Sequence, residues 1–298
     1  MRALVRIVQN ALAELSGAIR SRWALVVLLL YLASTAFCMY GTISILGRME
    51  GELARVLQLP ANENTGMVSV ELWKSKPFRG MVRAAVADDL VYHDIEGRHP
   101  AELVYAWFVF LCAPLLVVLV SGNRVANDLR SGAVRYLIVR SSRAEWSIAK
   151  YVGQALLIGL ALGVSALGAW GVAACRLSGG AGLLPSMFGW SLRAWLYSLA
   201  WLGMALGLSH ITRSGGFATA LGIFAFVALS VFPQMLQVNA EWLGVPWLEN
   251  FDVLVPVTAR GYLWRRGTGA LSVAAAHLLI LGFTYLALGY AVFRRKDA

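Results

Sequence analysis

The chain has 298 residues, of which 59% are hydrophobic and only 14% charged, with a formal net charge of +10. Soluble domains carry about 25% charged residues, so this composition excludes an ordinary water-soluble enzyme or binding module. A mean hydropathy of +0.66 points to a protein solvated by lipid, in an all-α, polytopic membrane fold.

Residues 1–22 place Leu4, Val8, Leu12, Leu15 and Ile19 on one helical face, with Arg2, Arg6 and Arg20 mostly elsewhere. This pattern predicts an amphipathic lead helix lying in the membrane interface, either as a lipid anchor or as a grip on a partner. A first apolar run follows at 23–46. It is too long, and begins too late, for the apolar core of a cleaved signal peptide, so it reads as a retained span. Further runs at 104–122, 151–174, 192–211, 216–238 and 271–293 give six spans in a single transmembrane domain. Each has the roughly 20 residues that a helix needs to cross the hydrocarbon, and no period-2 alternation suggests a barrel. The fourth and fifth are the least cleanly separated.

Basic residues set the orientation. One side holds Arg2, Arg6, Arg20 and Arg22, then Arg124, Arg130, Arg135, Arg140, Arg143 and Lys150, then Arg213, and finally Arg294, Arg295 and Lys296. The short segments opposite hold Arg176, Arg193, Arg260, Arg265 and Arg266. Both termini are therefore expected in the cytoplasm of a plasma (inner) membrane protein, with the 47–103 segment outside. The net positive charge follows from this bias and from attraction to anionic lipid, and no nucleic-acid partner is expected. Cys38, Cys112 and Cys175 fall in or at the ends of spans, an odd count that argues against a disulfide framework.

The 123–150 segment is too long for a turn between helices and too apolar for a free tail. Val125, Leu129, Val134, Leu137 and Ile138 are placed to form the buried stripe of a short helix, with a bend near Ser131-Gly132. Ser141-Ser142 offer an N-cap for the third span. An ordinary basic loop bound to lipid headgroups is the simpler reading of the same charges.

The run Asp128-Leu129-Arg130-Ser131-Gly132, with Leu137, Ser142-Arg143 and Lys150 beyond it, resembles the loop signature of permease subunits of type-2 ABC exporters. The six spans, the amphipathic lead and the Phe293-Arg294-Arg295-Lys296-Asp297 tail are also typical of that family. Ala133 stands where the family usually has threonine, and Asp128 where glutamate is commoner. The resemblance implies that 123–150 forms a coupling helix docked on a separate cytoplasmic ATPase, with Asp128, Leu129, Arg130, Ser131, Gly132 and Arg135 as the contact set. It implies a second permease chain, identical or related, and ATP and magnesium held by the partner. This chain has no Gly-x-x-x-x-Gly-Lys-Ser/Thr run to cradle a nucleotide phosphate and is expected to bind no cofactor itself.

The spans carry recurrent glycines, including Gly153, Gly159, Gly203 and Gly207, which read first as close helix packing. Strong charges are almost absent from their interiors, which favours an ATP-driven machine over an ion-coupled carrier. The outer segment collects Asp88, Asp89, His93, Asp94, Glu96 and His99. Their spacing suits a metal ion, but such a cluster more simply forms a solvated surface, and no metal is assigned. Residues 247–256, with Trp242 and Trp264, read as an interfacial element at the outer mouth.

Two other classes compete with the permease. A non-transporting scaffold or sensor would use the long outer segment to hold an extracytoplasmic partner. A rhomboid-like protease would pair Ser209 with His277, but topology puts these at opposite membrane faces, far beyond the about 3 Å that a nucleophile and base require.

Overall fold

A computed structural model describes residues 2–56, 73–86, 88–133 and 141–296. These residues are almost all helical, with no strand among them. Six helices are long and apolar enough to cross a membrane. In chain order the helices are α1 (Arg2–Arg20), α2 (Arg22–Val56), α3 (Lys76–Val86), α4 (Asp89–Ile95), α5 (Pro100–Ser121) and α6 (Arg124–Ser131). There follow α7 (Arg143–Arg176), α8 (Leu184–Ile211), α9 (Gly215–Leu243), α10 (Arg260–Trp264) and α11 (Thr268–Lys296). Short 3₁₀ turns precede α8 and fill Pro246–Leu254 and Pro256–Ala259.

The long helices overrun the apolar runs that mark them in the sequence. At 1.5 Å per residue, the 34 residues of α7 extend about 50 Å, against about 30 Å of hydrocarbon. Local chemistry sets the ends. Ser142 caps α7 in a reciprocal box: Glu145 N donates to Ser142 Oγ, and Ser142 N donates to the Glu145 carboxylate. His99 caps α5 by accepting from Ala101 N, and Pro100 opens that helix. Helices α8 and α9 separate at 212–214, where Ser214 Oγ accepts from Phe217 N.

Helix α8 is the centre of the bundle. Some 78% of the apolar window in 180–211 is buried inside the protein, against 17% for that in 215–239. It packs on α5, α7, α9 and α11. Its closest partner is α11, and glycines make the approach possible. A Cβ on Gly203 would stand 1.9 Å from Gly282 O, and one on Gly289 would stand 2.2 Å from Gly207 O. No side chain fits between these two backbones, so close dispersion contact replaces it. The glycine reading of span packing therefore holds for Gly203 and Gly207, whereas Gly171 and Gly216 face open space.

Helix α1 is amphipathic, but the face it turns to the protein is not its apolar one. Ala11 and Ala18 are fully buried against α7, while Leu4, Val8, Leu12 and Ile19 are exposed and Leu15 is half-buried. The small residues allow close approach, and the large apolar ones are left for a surrounding that solvates them.

Buried aromatic packing supports the end of the bundle away from the chain termini. Trp190, Phe110, Tyr197 and Trp264 meet there at ring-centroid distances of 4.8–6.4 Å. Glu102, almost fully buried, pairs with Arg98 and accepts from Trp190 Nε1 at 2.8 Å. Arg193 is tolerated inside α8 because its guanidinium lies 4.9 Å over the Trp190 ring. Cys38, Cys112 and Cys175 carry free thiols.

Candidate functional site

The site is built on α6, the short helix between two membrane-length ones. Val125 and Ala126 are buried, and Ala126 N donates to Ser209 Oγ of α8 at 3.0 Å. A Cβ on Gly215 would stand 2.3 Å from Asn127 Oδ1, so α9 begins hard against this helix. Leu129 is half-buried on the core, while Arg130 and Ser131 face outward. Gly132 ends the helix with φ +71°, a left-handed C-cap that glycine adopts without a side-chain clash. The bend expected at Ser131-Gly132 and the cap expected at Ser142 are therefore both present.

The charged core of the site lies behind α6. Lys150, on the second turn of α7, places Nζ 2.7 Å from Asp128 Oδ2 and 2.6 Å from Glu14 Oε2 of α1. Gln154, one turn further along α7 and fully buried, donates through Nε2 to Glu14 Oε1 at 2.8 Å and accepts from Ser121 Oγ of α5 at 2.9 Å. One ammonium thus joins α1, α6 and α7, and one amide extends the chain to α5.

Burial makes these links matter. The Lys150 side chain is only 6% exposed, that of Glu14 16% and that of Asp128 27%. Burial alone would raise the Glu14 carboxyl, but Lys150, by charge and hydrogen bond, together with Arg124 and Gln154, holds it below the ordinary carboxylate range. Two carboxylates face one ammonium, and Arg124 supplies a second positive charge nearby.

Helix α1 is fastened twice more. Arg6 reaches Glu145 at 2.8 Å, which ties the capping box of α7 to α1. Gly153 lies directly under α1, where a Cβ would stand 2.7 Å from Ala11 O and 3.0 Å from Glu14 Cβ. On the inner side, His210 Nδ1 lies 2.7 Å from Leu206 O, and Nε2 lies 3.1 Å from Ser147 Oγ. A carbonyl only accepts, so Nδ1 carries the proton and Nε2 accepts from the Ser147 hydroxyl.

The structure brings Asp128 and Lys150 together and divides the expected contact set. Arg130 and Ser131 are presented outward, Leu129 supports the helix, and Asp128 is already paired internally. Arg135, with Val134, Leu137 and Ile138, lies outside the described residues. Sequence reading missed Glu14, Gln154 and Ser121. Glu14 had one available signal, since it is the lone acidic residue of α1.

The acidic stretch at 88–99 is used piecemeal. Asp88 caps α4 through Leu90 N, Asp89 pairs with Arg83, His93 with Glu96, and Asp94 accepts from Arg266 N. Among the described residues no three such groups converge on a common point. Ser209 and His277 have separate partners, Ala126 N and Val253 O.

The family described as protein of unknown function, DUF2705, matches residues 80–298. The matched stretch includes Asp128, Lys150 and Gln154, and Glu14 lies before it. No curated protein matches the chain.

Proposed function

We propose that this chain, which belongs to the DUF2705 family of unknown function, is the membrane-spanning permease subunit of an ATP-driven exporter. It lies in the plasma membrane with both termini in the cytoplasm, as the distribution of basic residues favours. The exposed apolar face of α1 then rests in the cytoplasmic interface, and α6 hangs below the bilayer as the docking element.

The observation that carries this reading is the bridge from Glu14 through Lys150 to Asp128. A docking helix transmits force only if it cannot pivot independently of the spans. Here an eight-residue helix is fixed to α1 and α7 by buried charge, and to α8 by the Ala126–Ser209 bond. Arg130 and Ser131 are exposed, where a soluble subunit would meet them. ATP and magnesium belong to that subunit, and closure of two such subunits would displace α6 and, through Lys150, the first turns of α7. A second permease chain completes the pore.

Affinity purification of the detergent-solubilised chain, followed by an ATPase assay, tests the proposal. An ATP-hydrolysing subunit should accompany the parent and be lost with Arg130→Glu and Ser131→Trp, whose thermal unfolding should match the parent's. A chain that purifies without an ATPase, or variants that retain it fully, would sink the exporter reading. Recovery of extracytoplasmic proteins alone would replace it with the scaffold.

A further inference from the structure

A cavity of about 190 Å³ opens between α3, α4, α5, α10 and the turn that leads into α10. An apolar cavity of about 150 Å³ holds benzene, so this one has room for a body of that size with a short head group. Val86, Val91, Val257, Trp107 and Trp264 supply its apolar walls, and Asp88 and Arg260 its charges.

One cation and one carboxylate make this lining neutral overall, which disfavours a ligand of either net charge. The two charges nevertheless do not neutralise each other. No ion pair joins Asp88 to Arg260, although Asp88 Oδ2 would stand only 3.9 Å from a Cβ on the adjacent Gly261. Local contacts hold each in place. Asp88 Oδ1 accepts from Leu90 N at 2.8 Å and from Val91 N at 3.4 Å, which caps α4. The Arg260 guanidinium lies 4.9 Å from the Trp107 centroid and 5.8 Å from that of Trp264.

Each charge also keeps bonding capacity in reserve. Among the described residues no acceptor meets the Arg260 guanidinium, which carries five donors. Asp88 Oδ2 has Arg265 as its one cationic partner, at 3.4 Å, and the Asp88 side chain is 38% exposed. That separation is well beyond the about 2.7–2.9 Å of a strong charge-assisted bond, so the oxygen can take a closer cation. A preset cation and a preset carboxylate beside one apolar hollow call for a ligand that carries both opposite charges on a small apolar frame.

We propose that this cavity binds a small apolar α-amino acid, with its carboxylate on Arg260, its ammonium on Asp88 and its side chain among the valines and indoles. The planar guanidinium fork matches both oxygens of a carboxylate. A ligand with only one of the two charges leaves the opposite wall group unanswered, whereas a zwitterion satisfies both and keeps the site neutral. The inference is independent of the exporter reading, because it uses no orientation and no partner subunit.

Isothermal titration calorimetry on the detergent-solubilised full chain tests it, with L-leucine, isocaproate and isoamylamine as separate probes. Isocaproate is leucine without its ammonium, and isoamylamine is leucine without its carboxylate. Leucine should bind about tenfold or more tighter than either, the expected worth of a charge-assisted hydrogen bond. Absence of leucine binding overturns the proposal, and so does either analogue binding as tightly as leucine. The variants should divide the two charges. Arg260→Gln should weaken leucine about tenfold or more and remove its advantage over isoamylamine. Asp88→Asn should weaken leucine to a similar degree and remove its advantage over isocaproate. Asparagine caps a helix about as well as aspartate, so α4 is kept and the unfolding temperature should stay near the parent's. This second variant carries the test if Arg260→Gln does not fold. Unchanged leucine affinity in every folded variant overturns the site.

Discussion

The ammonium of Lys150 lies 2.7 Å from a carboxylate oxygen of Asp128, and this contact ties the second turn of α7 to the last turn of α6. Glu14, on α1, shares the same ammonium at 2.6 Å. Removing the cation is therefore worse than removing either acid.

Lys150→Met should destabilise the protein by about 3–5 kcal/mol, because it leaves two part-buried carboxylates without their shared cation. Glu14→Gln and Asp128→Asn should each cost less. The triple variant should recover part of the loss, a coupling that thermal unfolding in detergent would measure. A single Lys150→Met variant as stable as the parent would show that the contact carries no energy.

Acid should loosen α1 before it unfolds the bundle. The Glu14 carboxyl is held below the ordinary range in the folded protein, so its stabilisation is fully present above the unfolded pKa of about 4.3. That stabilisation falls as pH drops below this value and is gone only below the depressed folded value. Hydrogen exchange in α1 should therefore quicken below about pH 4.3. The same scan should be flatter in Glu14→Gln.

Gly153→Leu should detach α1 from α7, since even a Cβ meets Ala11 O at 2.7 Å. Such overpacking typically costs about 1–3 kcal/mol. Limited proteolysis near residue 21 should speed up while the core helices stay protected.

Gly203→Leu should be far more damaging, by more than about 4 kcal/mol, because the obstruction is Gly282 backbone and not a mobile side chain. Size-exclusion chromatography should show aggregate in place of a single species. A monodisperse Gly203→Leu protein would mean that α8 and α11 do not meet as described.

Leu12→Glu should leave the folded core intact, since Leu12 touches little of it, and should weaken the hold of α1 on a bilayer. Quenching by brominated lipid of a fluorophore placed at residue 8 would report the change.

The six apolar runs were legible because length and hydropathy alone decide whether a helix suits a bilayer. The ends of the helices were legible where a local rule acts, as with Ser142 capping and Gly132 closing a helix. The face by which α1 meets the protein was not. Amphipathic reading follows the large apolar residues, and here Ala11 and Ala18 make the contact while Leu4, Val8, Leu12 and Ile19 turn away. Glu14 was hidden for the same reason, since it lies on the face that pattern discards. Asp128 and Lys150 both stood out in sequence, yet nothing local told that they pair with each other. Separate helices supply the two charges, and only the tertiary arrangement brings them within reach.

The glycine contacts of α8 and α11 limit how this protein can change shape. Two backbones in direct contact at Gly203 with Gly282, and at Gly207 with Gly289, have no side chains to shear past one another. The pair must travel as a single beam, and any transition has to be articulated along seams padded by side chains. The thinnest of these borders α9, whose own helix contains Pro233 and lies mostly outside the packed interior. Relative motion of the helices would then be an excursion of α9 along a stationary α8–α11 spine.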